Sequence, residues 1–81
     1  MEVNDIITKY ESIFRDVLDN EDIKLKYETT AADIEEWDSL SHIQLVVAVE
    51  KYFKVKFTTA EIREFNNVGE MATATLKKMN Q

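Results

Sequence analysis

Hydrophobic positions in the first stretch of the chain fall at Val3, Ile6, Ile7, Tyr10, Phe14, Val17 and Leu18. Counted from Val3 the offsets are 3, 4, 7, 11, 14 and 15, which traces one face of an amphipathic helix. Asp19-Asn20-Glu21-Asp22 then ends the pattern with residues that favour turns over helix. Residues 20–37 show no helical period. Within them Ile23-Lys24-Leu25-Lys26-Tyr27 alternates apolar and charged side chains, and Phe53-Lys54-Val55-Lys56-Phe57 does the same further on. Alternation is a strand signature, and the two runs could pair as a ribbon. An isolated two-stranded ribbon is marginal in water, so both runs are read as loop whose alternate residues anchor in the core.

A second long helix is expected to open at Asp38-Ser39, with Asp38 as the N-cap and Ser39 as the first helical residue. Its body runs from Leu40 to Lys54. Placed at about 100° per residue, Leu45, Val46, Val49 and Phe53 form one core stripe, while Leu40, Ile43 and Val47 cluster on roughly the opposite side. A helix in a two-layer domain cannot readily bury both sides, so one apolar row is left over.

Two further helix starts follow. Thr58-Thr59-Ala60-Glu61 fits a capping box and opens a short helix carrying Ile62 and Phe65. Asn67-Val68-Gly69-Glu70 is a similar start, with Asn in place of Ser or Thr. It opens a helix whose one face holds Val68, Met71, Ala72, Thr75, Leu76 and Met79, with Lys77 and Lys78 in the last turn, where cations suit the helix dipole. The predicted fold is all-α: a single domain over residues 1–81, three longer helices, one short helix and a long first loop.

Composition narrows the function. The 81 residues include 10 Lys+Arg and 16 Asp+Glu, for a net charge of −6, with no Cys, no Pro and one Gly. A domain of this size holds a small core but no deep, shielded cleft. Without Cys there is no disulfide framework, thiolate zinc site or cysteine nucleophile. The acidic balance argues against nucleic acid or anionic lipid as the main partner. No apolar run approaches the ~20 residues that cross a bilayer. Met1-Glu2-Val3-Asn4-Asp5 lacks the basic start and apolar stretch of a signal peptide, so a soluble cytoplasmic protein is expected.

Catalytic and metal chemistry find little support in the residue pattern. His42 is the one histidine and is expected to face the core side as a structural contact. Ser39 lies three residues before it, so the two are neighbours on a helix, but no third group orients the pair. The acidic run Asp33, Glu35, Glu36, Asp38 lacks the spacing, central Gly and final Glu of a calcium loop. With Gly69 the only glycine, there is no Gly-rich phosphate loop. What remains is Trp37-Asp38-Ser39-Leu40. By itself it reads as a Trp anchor, an Asp cap and a first-turn Ser. Its setting adds to this. A surface Ser at a helix N-terminus suits an attached phosphate, and the leftover row Leu40, Ile43, Val47 beside it marks a partner surface.

At these residues the chain resembles the acyl carrier protein family. The resemblance runs over about residues 3–79. It rests on Asp38-Ser39-Leu40, on Ile43-Gln44-Leu45-Val46 leading to Glu50 and Phe53, on Val55 and Phe57, and on Val68-Gly69-Glu70-Met71. Such proteins are four-helix bundles with a long first loop. The resemblance implies that Ser39 receives 4′-phosphopantetheine from coenzyme A through a phosphodiester, placed there by a phosphopantetheinyl transferase. It implies a carrier rather than an enzyme, a monomer whose cofactor thiol holds acyl groups as thioesters for discrete acyl-loading and acyl-processing enzymes. Asp38 matches the aspartate beside that serine. Leu40, Ile43 and Val47 match positions that contact partner enzymes, with Glu36 added from the acidic approach. Leu45, Val46, Val49, Phe53, Ile62 and Met71 match positions that shelter the acyl chain.

Many fatty-acid carriers place acidic residues where this chain has Ser41 and Gln44, and here Lys51 and Lys54 dilute Glu50. The negative charge lies upstream instead, from Asp33 to Asp38. The departure favours specialised biosynthesis, such as polyketide-like or aminoacyl and hydroxyacyl chemistry, over housekeeping fatty-acid synthesis. A rival from another class is an unmodified helical adaptor on the same fold, gripping a partner through Leu40, Ile43 and Val47.

Overall fold

Six of the seven apolar positions, Val3 to Val17, lie in a helix, and Leu18 is its C-cap. In a computed structural model, which describes residues 2–80, α1 spans Val3–Val17 and buries Ile6, Ile7, Tyr10, Ile13 and Phe14. The other helices are α2 (Ser39–Phe53), α3 (Thr59–Glu64) and α4 (Val68–Met79). The bundle is built around α1, which packs against both α2 and α4. No helix is long and apolar enough to cross a membrane among the described residues.

The expected caps hold the helix starts, with one shift of partner. Thr58 Oγ1 accepts the Glu61 N–H at 3.1 Å and the Glu61 carboxylate accepts the Thr58 N–H at 2.8 Å, a complete capping box. Asn67 Oδ1 accepts the Glu70 N–H at 2.8 Å, but Glu70 reaches back to the Asn66 N–H rather than to that of Asn67. In the last turn of α4, Lys78 pairs with Glu61 of α3 at 3.0 Å, so it ties two helices together.

No strand forms among the described residues. The alternating run at Ile23–Tyr27 lies along α1, and α1 side chains satisfy its backbone. Arg15 Nε donates to the Ile23 carbonyl at 2.8 Å, and Glu11 accepts the Leu25 N–H at 2.8 Å. Ile23 and Leu25 are thereby seated in the core while their backbone groups stay paired. The end of the run docks on α4. The Val68 and Gly69 N–H groups donate to the Thr29 and Tyr27 carbonyls, each at 2.8 Å. Those orphan helix-start donors are thus closed by the loop. A 3-10 turn at Ala31–Asp33 then leads towards α2.

Tyr10 crosses the centre of the bundle. Its ring is fully buried, and its hydroxyl donates to the Met71 carbonyl at 3.1 Å and also meets Thr75 Oγ1. Burial pushes the phenol well above the ordinary tyrosine range, with the Thr75 hydrogen bond acting in the opposite direction. Only the neutral phenol therefore fits the fold, and the unfolded chain ionises first. The contribution of Tyr10 is fully present below about pH 10 and is lost as pH rises towards the folded value. Tyr10→Phe should lower stability by about 1 kcal/mol at neutral pH. It should also remove part of the alkaline fall. Urea melts of both proteins from pH 7 to pH 11 would show the two curves converging above about pH 10. A difference that stays constant across that range would contradict this account.

Candidate functional site

The loop that enters α2 is held by Trp37. Its ring is buried, meets Phe14 of α1 edge-on at 5.0 Å between centroids, and stacks on His42 at 5.8 Å. The indole N–H donates to His42 Nδ1 at 3.2 Å. The proton of the neutral imidazole is then on Nε2, which donates to the Ile62 carbonyl of α3 at 3.4 Å. Trp37 and His42 together join the loop, α2 and α3. Both ring nitrogens of His42 are engaged in this relay, so the ring is a structural contact and not a base poised for Ser39.

The next three residues form the helix start. Asp38 Oδ1 accepts the Ser41 N–H at 2.9 Å, and Ser41 Oγ accepts the Asp38 N–H at 2.8 Å. Ser41 also donates to the Glu36 carbonyl at 2.9 Å. The Ser41 backbone N–H, and after it the Ser41 side chain, hold the Asp38 carboxyl below its ordinary range. Asp38 therefore stays ionised at the positive end of α2. The position that departs from an acidic pattern, Ser41, is thus the reciprocal half of the cap. A Ser at the third helical position is a weak cue in a sequence, because Glu or Gln usually fills that role.

Ser39 and Ser41 have opposite fates. Ser41 is buried and fully engaged, whereas Ser39 is exposed and its hydroxyl meets no hydrogen-bond partner among the described residues. Beside Ser39 lies an open depression of about 330 Å³. Trp37, Asp38 and His42 line one side, and Ile62, Arg63, Phe65, Asn67 and Met71 the other. Of the six residues expected to shelter a chain, Ile62 and Met71 border this depression. Leu45, Val46 and Val49 are buried in the core together with Met71, and Phe53 is half-buried with its ring edge-on to Tyr10 at 5.9 Å. Nothing in the sequence brings Trp37, His42, Arg63, Phe65 and Asn67 to this place, because the contact depends on α3 folding back over the start of α2.

The leftover apolar row is at the surface. Leu40, Ile43 and Val47 are 72%, 52% and 42% exposed, on the side of α2 away from Leu45 and Val49. Glu36 is exposed upstream, its carboxylate accepting from Asn20 Nδ2 at 2.8 Å. No group of acidic or histidine side chains that could hold a metal ion is found among the described residues.

A family model described as a phosphopantetheine attachment site matches residues 11–75. Among solved structures, the solution NMR structure of the holo acyl carrier protein from Geobacter metallireducens matches this fold with a TM-score of 0.87 at 41% identity. The match covers 93% of this chain and 86% of that one. No curated protein matches the sequence.

Proposed function

The chain belongs to the acyl carrier protein family, and from that premise we propose that its phosphopantetheine arm is attached to Ser39. It is a carrier and not an enzyme, and carriers of this family work with a phosphopantetheinyl transferase and with biosynthetic enzymes. When bound, the arm supplies the thiol that this Cys-free chain lacks, and acyl groups travel on it as thioesters.

One observation above all supports Ser39: it is an exposed serine with an uncommitted hydroxyl at the first position of a 15-residue helix. That place suits a phosphodiester, because the helix dipole favours negative charge there. Asp38 and Ser41 fix the backbone on either side, so the hydroxyl is presented on a rigid base. Trp37 and His42 hold the depression open beside it, where the first part of an arm can lie. Leu40, Ile43 and Val47 offer the apolar contact for enzymes that act on the arm. An unmodified adaptor would use the same apolar row but leaves the free serine and the depression without a purpose.

The cargo reading follows from charge. Within α2 the sole acidic residue is Glu50, and the carboxylates cluster ahead of Ser39. This layout favours a monomeric cytoplasmic carrier serving discrete enzymes of a specialised pathway, with polyketide-like, aminoacyl or hydroxyacyl intermediates, over the general fatty-acid route.

Co-expression with a broad-specificity phosphopantetheinyl transferase, followed by intact-mass measurement, tests the attachment. The wild-type chain should gain one phosphopantetheinyl increment and Ser39→Ala none, with both proteins giving the same helical circular-dichroism spectrum. An increment that persists in Ser39→Ala would move the attachment elsewhere. A wild-type chain left unmodified by an active transferase would defeat the assignment.

A further inference from the structure

The segments at the two ends of α2, the helix that presents Ser39, are charged in opposite senses. Leu40, Ile43, Val47, Lys51 and Lys54 are all exposed. At about 100° per residue the four within α2 fall within roughly 80° of arc, so the apolar row runs into Lys51, and Lys54 follows as the left-handed C-cap of the helix. Lys56 joins them, and Val47, Lys51, Lys54, Val55 and Lys56 border one shallow depression of about 360 Å³. Glu50 also borders it, its Oε2 accepting the Phe57 N–H at 2.8 Å, and it offsets one of the three lysines so that this end stays net positive. At the other end Asp33, Glu35, Glu36 and Asp38 are exposed. Ion pairs among the described residues join Glu11 to Arg15 and Glu61 to Lys78, and neither charged end is neutralised by one. The helical rise places Lys51 and Lys54 about 18–22 Å from Ser39. That is more than twice the screening length of about 8 Å in physiological salt, so a partner meets the two ends as separate local fields.

We propose that this stripe docks a partner enzyme of matching, divided charge, and that its lysine end rejects enzymes whose docking face is basic throughout. The partner is basic opposite Asp33–Asp38, apolar opposite Leu40, Ile43 and Val47, and acidic opposite Lys51, Lys54 and Lys56. The inference rests on the carrier reading, since the enzyme must also reach the arm on Ser39. Like charges brought face to face raise the cost of the encounter complex, and the effect falls mainly on the association rate. A surface of this kind selects partners before any chemistry begins.

The probe is a discrete malonyl-loading acyltransferase whose docking face carries only basic residues. The chain is first converted to its holo form and weighed; failure at that stage counts against Ser39 attachment and not against the docking face. Loading is then measured for wild type, K51E/K54E/K56E and K51Q/K54Q/K56Q at about 50 mM salt, where surface charges are weakly screened. The reversal should raise kcat/KM about tenfold with kcat unchanged, and the neutral variant should fall between. The gain should shrink towards unity at about 0.5 M salt. Replacing one facing basic residue of the enzyme by Glu should speed loading of the wild type and slow loading of the reversed variant. Melts matching wild type within a few degrees keep folding out of the comparison. A kcat/KM that stays within about twofold of wild type for the reversed variant at low salt would overturn the proposal.

Discussion

Replacing Trp37 by Ala should cost about 3–5 kcal/mol, the usual range for losing a large buried aromatic. The ring is buried against Phe14 and His42, and the loop that carries it has only the short 3-10 turn at Ala31–Asp33 as regular structure of its own. A chain of this length is expected to have only about 4–12 kcal/mol of total stability. The substitution therefore removes a large share of it. It also removes the donor to His42 Nδ1 and so frees the ring that links α2 to the Ile62 carbonyl of α3. The loss should be local before it is global. α3 is six residues long, too short to stand as an isolated helix, and its hold on the bundle includes that bond, the Lys78–Glu61 pair and the contact of Phe57 with Phe65. Amide exchange in α3 and at the start of α2 should accelerate at urea concentrations where α1 and α4 remain protected. Circular dichroism is the probe for the melts, because the one Trp is the residue removed. Trp37→Phe keeps the contact with Phe14 but loses the indole N–H, and should cost about 1–3 kcal/mol. If Trp37→Ala costs under about 1 kcal/mol, the loop is held by other contacts and the site does not depend on the indole.

That dependence separates the local features of the site from those that need the whole fold. The start of α2 was legible because its parts are local: an Asp, a Ser and an apolar row at helical spacing. The exposure of Leu40, Ile43 and Val47 followed from the geometry of one helix, since the opposite stripe had to face the core. The alternating run at Ile23–Tyr27 was legible only by elimination. Its true partners are Glu11 and Arg15, one turn apart on α1 and themselves paired at 3.5 Å. Nothing in the run announces that two side chains of a helix will take the place of a neighbouring strand. Likewise the Ser39 depression is made by the fold of α3 over α2, so its lining could not be read from either helix alone. Leu45, Val46 and Val49, taken from family resemblance, are buried in one core with Tyr10, Phe14 and Trp37, and that burial depends on helices coming together, which no single helix displays.

Gly69→Ala should destabilise the protein by about 1–2 kcal/mol, against the expectation for a Gly in a helix. Propensity alone predicts a gain of up to about 1 kcal/mol, less at the second position of α4 than in its interior. The backbone of Gly69 is ordinary helix, so conformational freedom is not the reason for a glycine here. The reason is the Tyr27 ring, which lies against the Cα. A Cβ added at Gly69 would overlap Cγ, Cδ1 and Cδ2 of that ring. These atoms are at the base of the side chain and not at its free end, so a small rotation does not clear them. The backbone cannot slide away either, because the Gly69 N–H is bonded to the Tyr27 carbonyl and the Val68 N–H to that of Thr29. Overpacking of this sort costs about 1–3 kcal/mol, which exceeds the propensity gain. The outer part of the ring is in solvent, and this keeps the penalty below the top of that range.

The decisive measurement is the double variant. In a Tyr27→Ala background the clash is gone and only propensity is left, so adding Gly69→Ala should become neutral or stabilising. The sign reversal is the coupling expected of two residues in direct contact. An equal loss in both backgrounds would show that Gly69 is needed for some reason other than Tyr27. In the single variant, the ring that yields belongs to the loop leading to Trp37 and Ser39. Amides of the Tyr27–Thr29 segment should then exchange faster even at temperatures where α4 is intact. Gly69 and Trp37 are thus expected to pin the two ends of the same segment, and loosening either should be felt at the serine that the loop delivers.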